Sequence, residues 1–481
     1  MRALVLFHRW VGVALCLMFA AWFLTGAMMV FIAFPSLPGP ERAARSALIT
    51  AGQIGLLPGD AAALLGEPDD LRLIARAGTT AYVGTSGGHA AAVDASTGRR
   101  LPMISAEQAS RAASAFGGAA VRSVSGPVDY DQWVVHQQFD PLRPLYRVRL
   151  ATPDHRDLYV SARTGEIVQQ TRDYERTANW AGSVVHWVYY VPLRRSFAAW
   201  DWTVWIVALV GLTSVAAGLW LGVRASLRRT RSSTPARSPF RGLVRWHHLL
   251  GLAAGIFVLA WITSGWLSMD HGRLFSDGQP SPQVAKAYAG AGSLAKLSLD
   301  DVRGVARGAT RIEFEQVSGC QVAGAQGPTP TSRSACASGG TSSVLTLVGS
   351  ALRSAWPSAE IGRIRSVVSG DAYAKAEGLP PGTLVATIRT PNRLRVYANP
   401  ETGRLLVVMD RSRAAYAWLY YMLHTYNYPG LADRPALRIT LLLIPLALGF
   451  GFACTGVLVG LRRIGAFHIL RPRAAGLSLA T

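Results

Sequence analysis

Residues 10–34 read WVGVALCLMFAAWFLTGAMMVFIAF, a run without a single charge. About 20 apolar residues suffice to cross the hydrocarbon core of a bilayer, so this run is long enough. Three more runs match it: residues 202–223 (WTVWIVALVGLTSVAAGLWLGV), residues 246–269, whose only ionisable side chains are His247 and His248, and residues 439–461 (ITLLLIPLALGFGFACTGVLVGL). One such run could be a buried helix of a soluble core. Four of this length predict a membrane protein with four transmembrane helices. The first run is too long for the apolar region of a cleaved signal peptide and no clear small-residue cleavage site follows it, so it reads as an uncleaved first helix. Composition agrees, since only 16% of the 481 residues are charged against about a quarter in soluble domains.

The formal net charge of +21 invites a nucleic-acid reading, and its distribution excludes one. Residues 224–245 hold seven arginines and no acid, and the tail after Leu461 carries Arg462, Arg463, Arg471 and Arg473, again with no acid. All 28 acidic residues fall within 41–201 and 270–433. Lys and Arg beside membrane helices mark the cytoplasmic side, so both termini and the 224–244 loop are expected inside, and the two long segments outside. Some of the basic excess would meet anionic membrane lipid. The expected order is a first membrane helix over 1–34, an outer domain over 35–175, an interfacial segment over 176–200, a second helix over 201–223 and a basic loop over 224–244. A third helix over 245–269 follows, then an outer domain over 270–412, an interfacial segment over 413–435, a fourth helix over 436–461 and a cytoplasmic tail over 462–481.

The outer segments read as α+β. Residues 105–115 (SAEQASRAASA) open on a helix-capping serine and continue with helical periodicity. Residues 146–150 (YRVRL), 157–160 and 166–169 alternate as strands, with a turn at Arg163-Thr164-Gly165. Residues 395–398 and 404–408 repeat the pattern around Thr402-Gly403. Cys16 and Cys454 lie in membrane runs as small apolar fillers. Cys320 and Cys336 lie outside, where an oxidising compartment permits a disulfide; two thiols with no nearby histidine do not suggest a metal site.

A shift of 239 lays His8-Arg9-Trp10-Val11-Gly12 on His247-His248-Leu249-Leu250-Gly251, Trp22 on Trp261, and Thr25-Gly26 on Ser264-Gly265. A shift of 238 lays Tyr159 on Tyr397, Thr164-Gly165 on Thr402-Gly403, Trp180 on Trp418, His186 on His424, Tyr190 on Tyr428, and Gly218 and Gly222 on Gly456 and Gly460. Each copy therefore reads as helix, outer domain, helix. Two crossings per copy give parallel repeats related by a pseudo-twofold axis along the membrane normal. The two glycine pairs, spaced four apart, read as plain close packing between helices.

The HRW-x-G run at residues 8–12, followed by a helix–strand module that ends in a Tyr-x-x-x-x-Thr-Gly turn, resembles the PepSY-associated transmembrane proteins. The likeness covers most of the chain and is weakest at 41–100 and 280–355. It implies two PepSY-like periplasmic domains, a place in the bacterial inner membrane, and, as in members of that family implicated in iron uptake, reduction of ferric siderophores at the outer face. PepSY modules also occur in peptidase propeptides, so a regulator or binder of a periplasmic peptidase, without redox activity, is the alternative.

Four of the ten histidines form two pairs matched by the repeat: His8 with His247 at the cytoplasmic edge, and His186 with His424 at the outer edge. Equivalent residues can face each other across a twofold axis, and two facing imidazoles can ligate one haem iron from opposite sides. Ionisable groups in membrane segments are functional candidates by default. Two bis-histidine haem b groups are therefore expected, with His8, His247, His186 and His424 as iron ligands. Gly12 and Gly251, each four residues after its histidine, would let a porphyrin lie against the helix. A lone interfacial histidine is more often an anchor, and duplication copies residues whatever their purpose; it is the two retained pairs that carry the reading. His248 is an alternative to His247, which the repeat register favours. His271 and His468 have no repeat partner, and His89, His136 and His155 read as surface or local structural residues. Arg9, Arg194, Arg195 and Arg245 are available to haem propionates, with topology or lipid contact as their ordinary role.

Two haems across a membrane make an electron wire. No nucleotide-binding fingerprint is present, so electrons are expected from a quinol or a separate cytoplasmic reductase, and the acceptor is expected to be a ferric siderophore or another periplasmic molecule. No G-x-S-x-G or H-E-x-x-H constellation supports a hydrolase. Pro445 and Thr213 are thin grounds for a transporter's midplane site.

Overall fold

The structure, a computed structural model, describes residues 1–229, 238–290, 297–328, 330–336 and 341–465. Arg231, Arg237, His468, Arg471 and Arg473 lie outside the described residues. The chain divides into two compact units. One holds residues 1–33, 179–274 and the chain from Tyr416 onward, and the other holds residues 34–178 and 275–415.

Four helices in the first unit are long and apolar enough to cross a membrane: Arg2–Phe31, Phe197–Arg229, Gly242–Ser268 and Pro435–Arg463. Each extends a few residues beyond the uncharged runs. The shortest has 27 residues, about 40 Å at a rise of about 1.5 Å per residue. The first and third helices each lie against the second and the fourth. Phe23, Ala254, Val258, Trp261, Ile262, Leu442 and Leu446 fill the centre of the bundle. Glycines allow the closest approaches: a Cβ on Gly255 would sit 2.8 Å from Leu219, and one on Gly449 2.5 Å from the Phe23 ring. Small residues serve this purpose in lipid, where packing rather than water exclusion holds helices together.

The second unit is α+β. In the first segment, strands β1 (Asp70–Arg76), β2 (Thr79–Ser86) and β3 (His89–Asp94) precede helix Ala106–Gly117. Strands β4 (Val121–Val128), β5 (Leu145–Leu150), β6 (Asp157–Ser161) and β7 (Ile167–Thr171) follow and form a four-stranded antiparallel sheet. Ser105 and Gln108 close both halves of a capping box at the helix start, satisfying two otherwise orphaned N–H groups. Ala109, Ala113 and Phe116 then share one face over the sheet. In the second segment, β8 (Arg311–Val317), β9 (Cys320–Gln326) and β10 (Thr331–Cys336) precede helix Val344–Ala355. Short strands β11 (Glu360–Ile361) and β12 (Arg365–Ser366) both pair with β13 (Leu384–Arg389), which continues through β14 (Leu394–Ala398) to β15 (Leu405–Met409). A disulfide joins Cys320 to Cys336, directly opposite each other on β9 and β10.

The two outer segments are not separate bodies. Strand β1 pairs antiparallel with β8, making one six-stranded sheet in the order β10-β9-β8-β1-β2-β3. Leu73 lies opposite Ile312, 239 positions further on, and the same offset exchanges the flanking pairs Arg72–Glu313 and Ile74–Arg311. Glu166, just after the Thr164-Gly165 turn, clamps this seam. Its two oxygens meet Arg72 and Arg311, each at 2.7 Å. Arg72 also binds Asp70 at 2.7 Å, and Arg311 binds Glu313 at 2.8 Å. Burial alone would raise the Glu166 carboxyl, but the two guanidiniums outweigh it and hold the group well below the usual carboxylate range. Glu166→Gln leaves two guanidiniums half-paired in the interior and should cost about 3–5 kcal/mol, seen as a lower thermal midpoint for loss of the extramembrane β signal. Because the folded pKa is depressed, the stabilisation is complete above the unfolded value of about 4.3 and fades as pH falls below it. The midpoint of the wild type should drop below that pH more steeply than that of the Gln variant.

Candidate functional site

All four paired histidines lie in the membrane unit, and each is held in the same manner. His186 ends a single helical turn, Ser183–His186, that follows the first outer segment. His424 ends a π-helical stretch, Ala417–His424, a geometry frequent at functional sites. His8 lies on the first membrane helix and His247 on the third.

Their Nδ1 atoms are all engaged. That of His186 lies 3.0 Å from Thr25 Oγ1, that of His424 3.0 Å from Ser264 Oγ, that of His247 3.0 Å from Thr455 Oγ1, and that of His8 3.0 Å from the Ser214 carbonyl. The Thr25 hydroxyl donates its own proton to the Trp22 carbonyl, that of Ser264 to Trp261, and that of Thr455 to Phe452. The Ser214 carbonyl can only accept, so the His8 ring carries a proton on Nδ1. The same tautomer at the other three lets each hydroxyl accept from the imidazole while it donates to the carbonyl behind it. In that tautomer Nε2 keeps its lone pair, and among the described residues no hydrogen bond engages it. A neutral imidazole whose far nitrogen is fixed by a hydrogen bond is the usual state of a metal-ligating histidine.

Glycines make room for the rings. A Cβ on Gly26 would lie 3.4 Å from Cε1 of His186, one on Gly265 3.3 Å from Cε1 of His424, and one on Gly456 3.5 Å from Cε1 of His247. At Gly218 the added carbon would run into the His8 ring itself. Gly218 thus seats His8 instead of only bringing helices together, whereas a Cβ on Gly456 would make ordinary contacts with His247 and Cys16. Gly222 and Gly460 do serve packing, against Leu252 and His248 and against Cys16 and Val13 respectively. Gly12 faces open space, whereas Gly251 is covered by Phe452, 2.9 Å from a notional Cβ. Phe452 also stacks on His247 at 4.9 Å.

His186 and His424 meet edge to face, with ring centroids 6.4 Å apart and planes inclined at 69°. Two metal–imidazole bonds of about 2 Å each, plus about 1.2 Å from each coordinating nitrogen to its ring centre, span about 6.4 Å. His186 and His424 therefore stand at the separation of two rings sharing one metal. Tyr420 packs on His424 at 5.8 Å, and Trp261 donates from Nε1 to the His424 carbonyl at 3.0 Å. No group of three or more potential metal-ligating side chains occurs among the described residues.

His248 differs from its neighbour. Its Nε2 lies 3.0 Å from the Gly222 carbonyl and its Nδ1 3.0 Å from Ser238 Oγ. Both nitrogens are occupied, and the residue ties the second helix to the third. Arg194 is buried at 5% exposure beneath Tyr189, Phe197 and Trp200, with Trp200 at 4.5 Å. Its Nε has no hydrogen-bond partner, and no carboxylate comes within ion-pair distance of it among the described residues. Arg9, Arg195 and Arg245 are exposed.

His271, which lacks a repeat partner, pairs with Asp201 at 2.6 Å beside Trp202 and Trp205. Sequence reading missed this pair because its residues lie 70 positions apart, Asp201 near the start of one helix and His271 in the turn beyond the end of another. It missed the hydroxyls too, although Thr25-Gly26 and Ser264-Gly265 stood out in the repeat and marked the places where the outer histidines rest. Thr25→Val and Ser264→Ala should each leave one buried imidazole nitrogen without its hydroxyl partner and cost about 1–3 kcal/mol, measured as a lower thermal midpoint of the helical circular dichroism.

The sequence profile described as the PepSY-associated TM region matches residues 5–463. No curated protein and no solved structure matches the chain.

Proposed function

The chain belongs to the PepSY-associated TM family, and on that premise we propose that it is a di-haem oxidoreductase of the bacterial inner membrane that passes electrons to a periplasmic acceptor. The observation that carries this reading is the shared setting of His8, His247, His186 and His424, each with Nδ1 at 3.0 Å from a hydroxyl or carbonyl oxygen of a neighbouring helix. His186 and His424 hold the outer haem b, and His8 and His247 hold the inner one. The 6.4 Å separation of the outer rings suits one iron between them. His248, with both nitrogens engaged, stays outside the iron coordination.

When bound, haem supplies one-electron exchange between iron(III) and iron(II). The chain's own residues keep the imidazoles neutral, fix their rotation through Thr25, Ser264 and Thr455, and enclose them in apolar side chains that lower the local dielectric. Arg194 is a buried cation without an acid opposite it, and it is suited to a propionate of the outer haem. Such a cation is expensive in an apolar setting unless an anion meets it.

The arginine-rich link and tail support a cytoplasmic side for both termini and a periplasmic one for both outer segments. The chain is a duplication in two parallel repeats. Support comes from the β1–β8 register, which is unchanged when its two strands are exchanged by the 239-residue offset. Electrons enter from a quinol or a cytoplasmic reductase. Outward transfer runs downhill in the membrane potential by about 2.3 kcal/mol per 100 mV. The acceptor is iron(III) held by a siderophore, and its reduction to iron(II) weakens the grip of hard oxygen ligands and releases the metal.

Purified protein should show low-spin b-type bands on dithionite reduction and about two haems per chain by pyridine haemochrome. His8→Ala, His186→Ala, His247→Ala and His424→Ala should each lower the count by one, and His248→Ala should leave it unchanged. A folded, colourless protein from haem-replete cells would overturn the reading. Arg194→Gln should retain both haems and shift the midpoint potential of the outer one downward, since a nearby positive charge favours the reduced form.

A further inference from the structure

The extramembrane unit encloses a cavity of about 450 Å³ walled by both outer segments. That volume falls in the range of small-molecule sites, roughly 300–1,000 Å³. Leu48, Ile74 and Phe116 give it apolar walls, while Arg42, Arg45, Arg111 and Arg311 face it against a single acid, Glu166.

Three of these cations are already matched at close range. Arg45 binds Glu41 at 3.1 Å and lies over the Phe116 ring at 5.0 Å. Arg111 binds Glu107, and Arg311 binds Glu166 and Glu313. Arg42 is different. Its guanidinium makes no hydrogen bond and no ion pair with any described residue. Burial first, and repulsion from Arg311 second, push its pKa down, while Glu166 and Glu313 attract it only from a distance. Glu166 has no oxygen to spare, since both are held by Arg72 and Arg311 at 2.7 Å. A guanidinium so placed presents a planar fork of donors with no acceptor. A carboxylate is the group that fits such a fork with two parallel hydrogen bonds.

We propose that this cavity binds a small carboxylate-bearing molecule with an apolar body. The carboxylate pairs with Arg42, and the body lies against Leu48, Ile74 and Phe116. Arg45, held over Phe116, adds a second positive charge at the rim. The proposal does not depend on the haem reading, because every residue it uses lies in the extramembrane unit and its test needs no haem.

The test is isothermal titration of the full-length protein in detergent with 2-naphthoate, and with 2-naphthamide as a neutral probe of the same shape. Saturable binding of naphthoate at one site per chain is expected, with naphthamide weaker by about tenfold or more. Arg42→Gln should remove the preference for the acid while leaving the thermal midpoint near that of the wild type. Ala112→Phe, which fills the cavity from its helical wall, should abolish binding of both probes. The proposal is overturned if naphthoate shows no saturable binding, if the two probes bind equally, or if Arg42→Gln binds naphthoate as well as the wild type does. Failure here with two haems per chain present would leave the redox reading standing. Binding here in a colourless protein would do the reverse.

Discussion

An imidazole among apolar helices has one N–H to satisfy, and where that proton goes decides what the ring can do. In this bundle all four paired histidines bring Nδ1 to an oxygen at 3.0 Å. Much of the local structure follows from that commitment. The accepting hydroxyls of Thr25, Ser264 and Thr455 must turn their own protons to carbonyls one helical turn back. The ring edges come so near the neighbouring helices that Gly218 has no room for a side chain and Gly265 little. The lone pairs left on Nε2 are the only basic atoms these rings can offer to anything else.

Outside the bundle, the organising contact is between β1 and β8. It draws strands from the two ends of the sequence into one sheet, and Glu166 seals the seam with arginines from both sides. The Thr-Gly turns act as docking points in both segments. Gly165 and Gly403 adopt left-handed conformations at φ +74° and +75°. Thr402 packs so closely on β9 that a Cβ on Gly324 would fall 2.5 Å from its methyl group. Two outer segments that read as separate domains therefore form one cooperative body.

Legibility in the sequence followed the range of the interaction. The membrane runs, the capping box at Ser105 and the strands around Thr164-Gly165 are local signals, and the structure contains each within a few residues of the expected bounds. The histidine pairs were visible only because a repeat placed them in register. The β1–β8 pairing fell in the stretches where the likeness to the family is weakest, and strand register between distant segments has no local code. The Gly12 and Gly251 positions looked alike in sequence, yet Phe452 covers one and nothing touches the other. The His271–Asp201 pair depends on two helix ends meeting, which no single-helix pattern reports.

The shared sheet also sets a timetable. Strand β1 ends at Arg76 and its partner β8 begins at Arg311. At about 5–20 residues per second, a ribosome needs roughly ten to fifty seconds to make what lies between them. That stretch includes the second and third membrane helices, so β8 emerges only after two more insertions into the bilayer. Through this interval one edge of β1 waits without a neighbour, in a compartment where other nascent chains could pair with it. Arg72 and Arg76 lie on that strand, and positive charge is a common safeguard of an open edge. Arg72, which later binds Glu166 across the seam, would first guard β1 during synthesis.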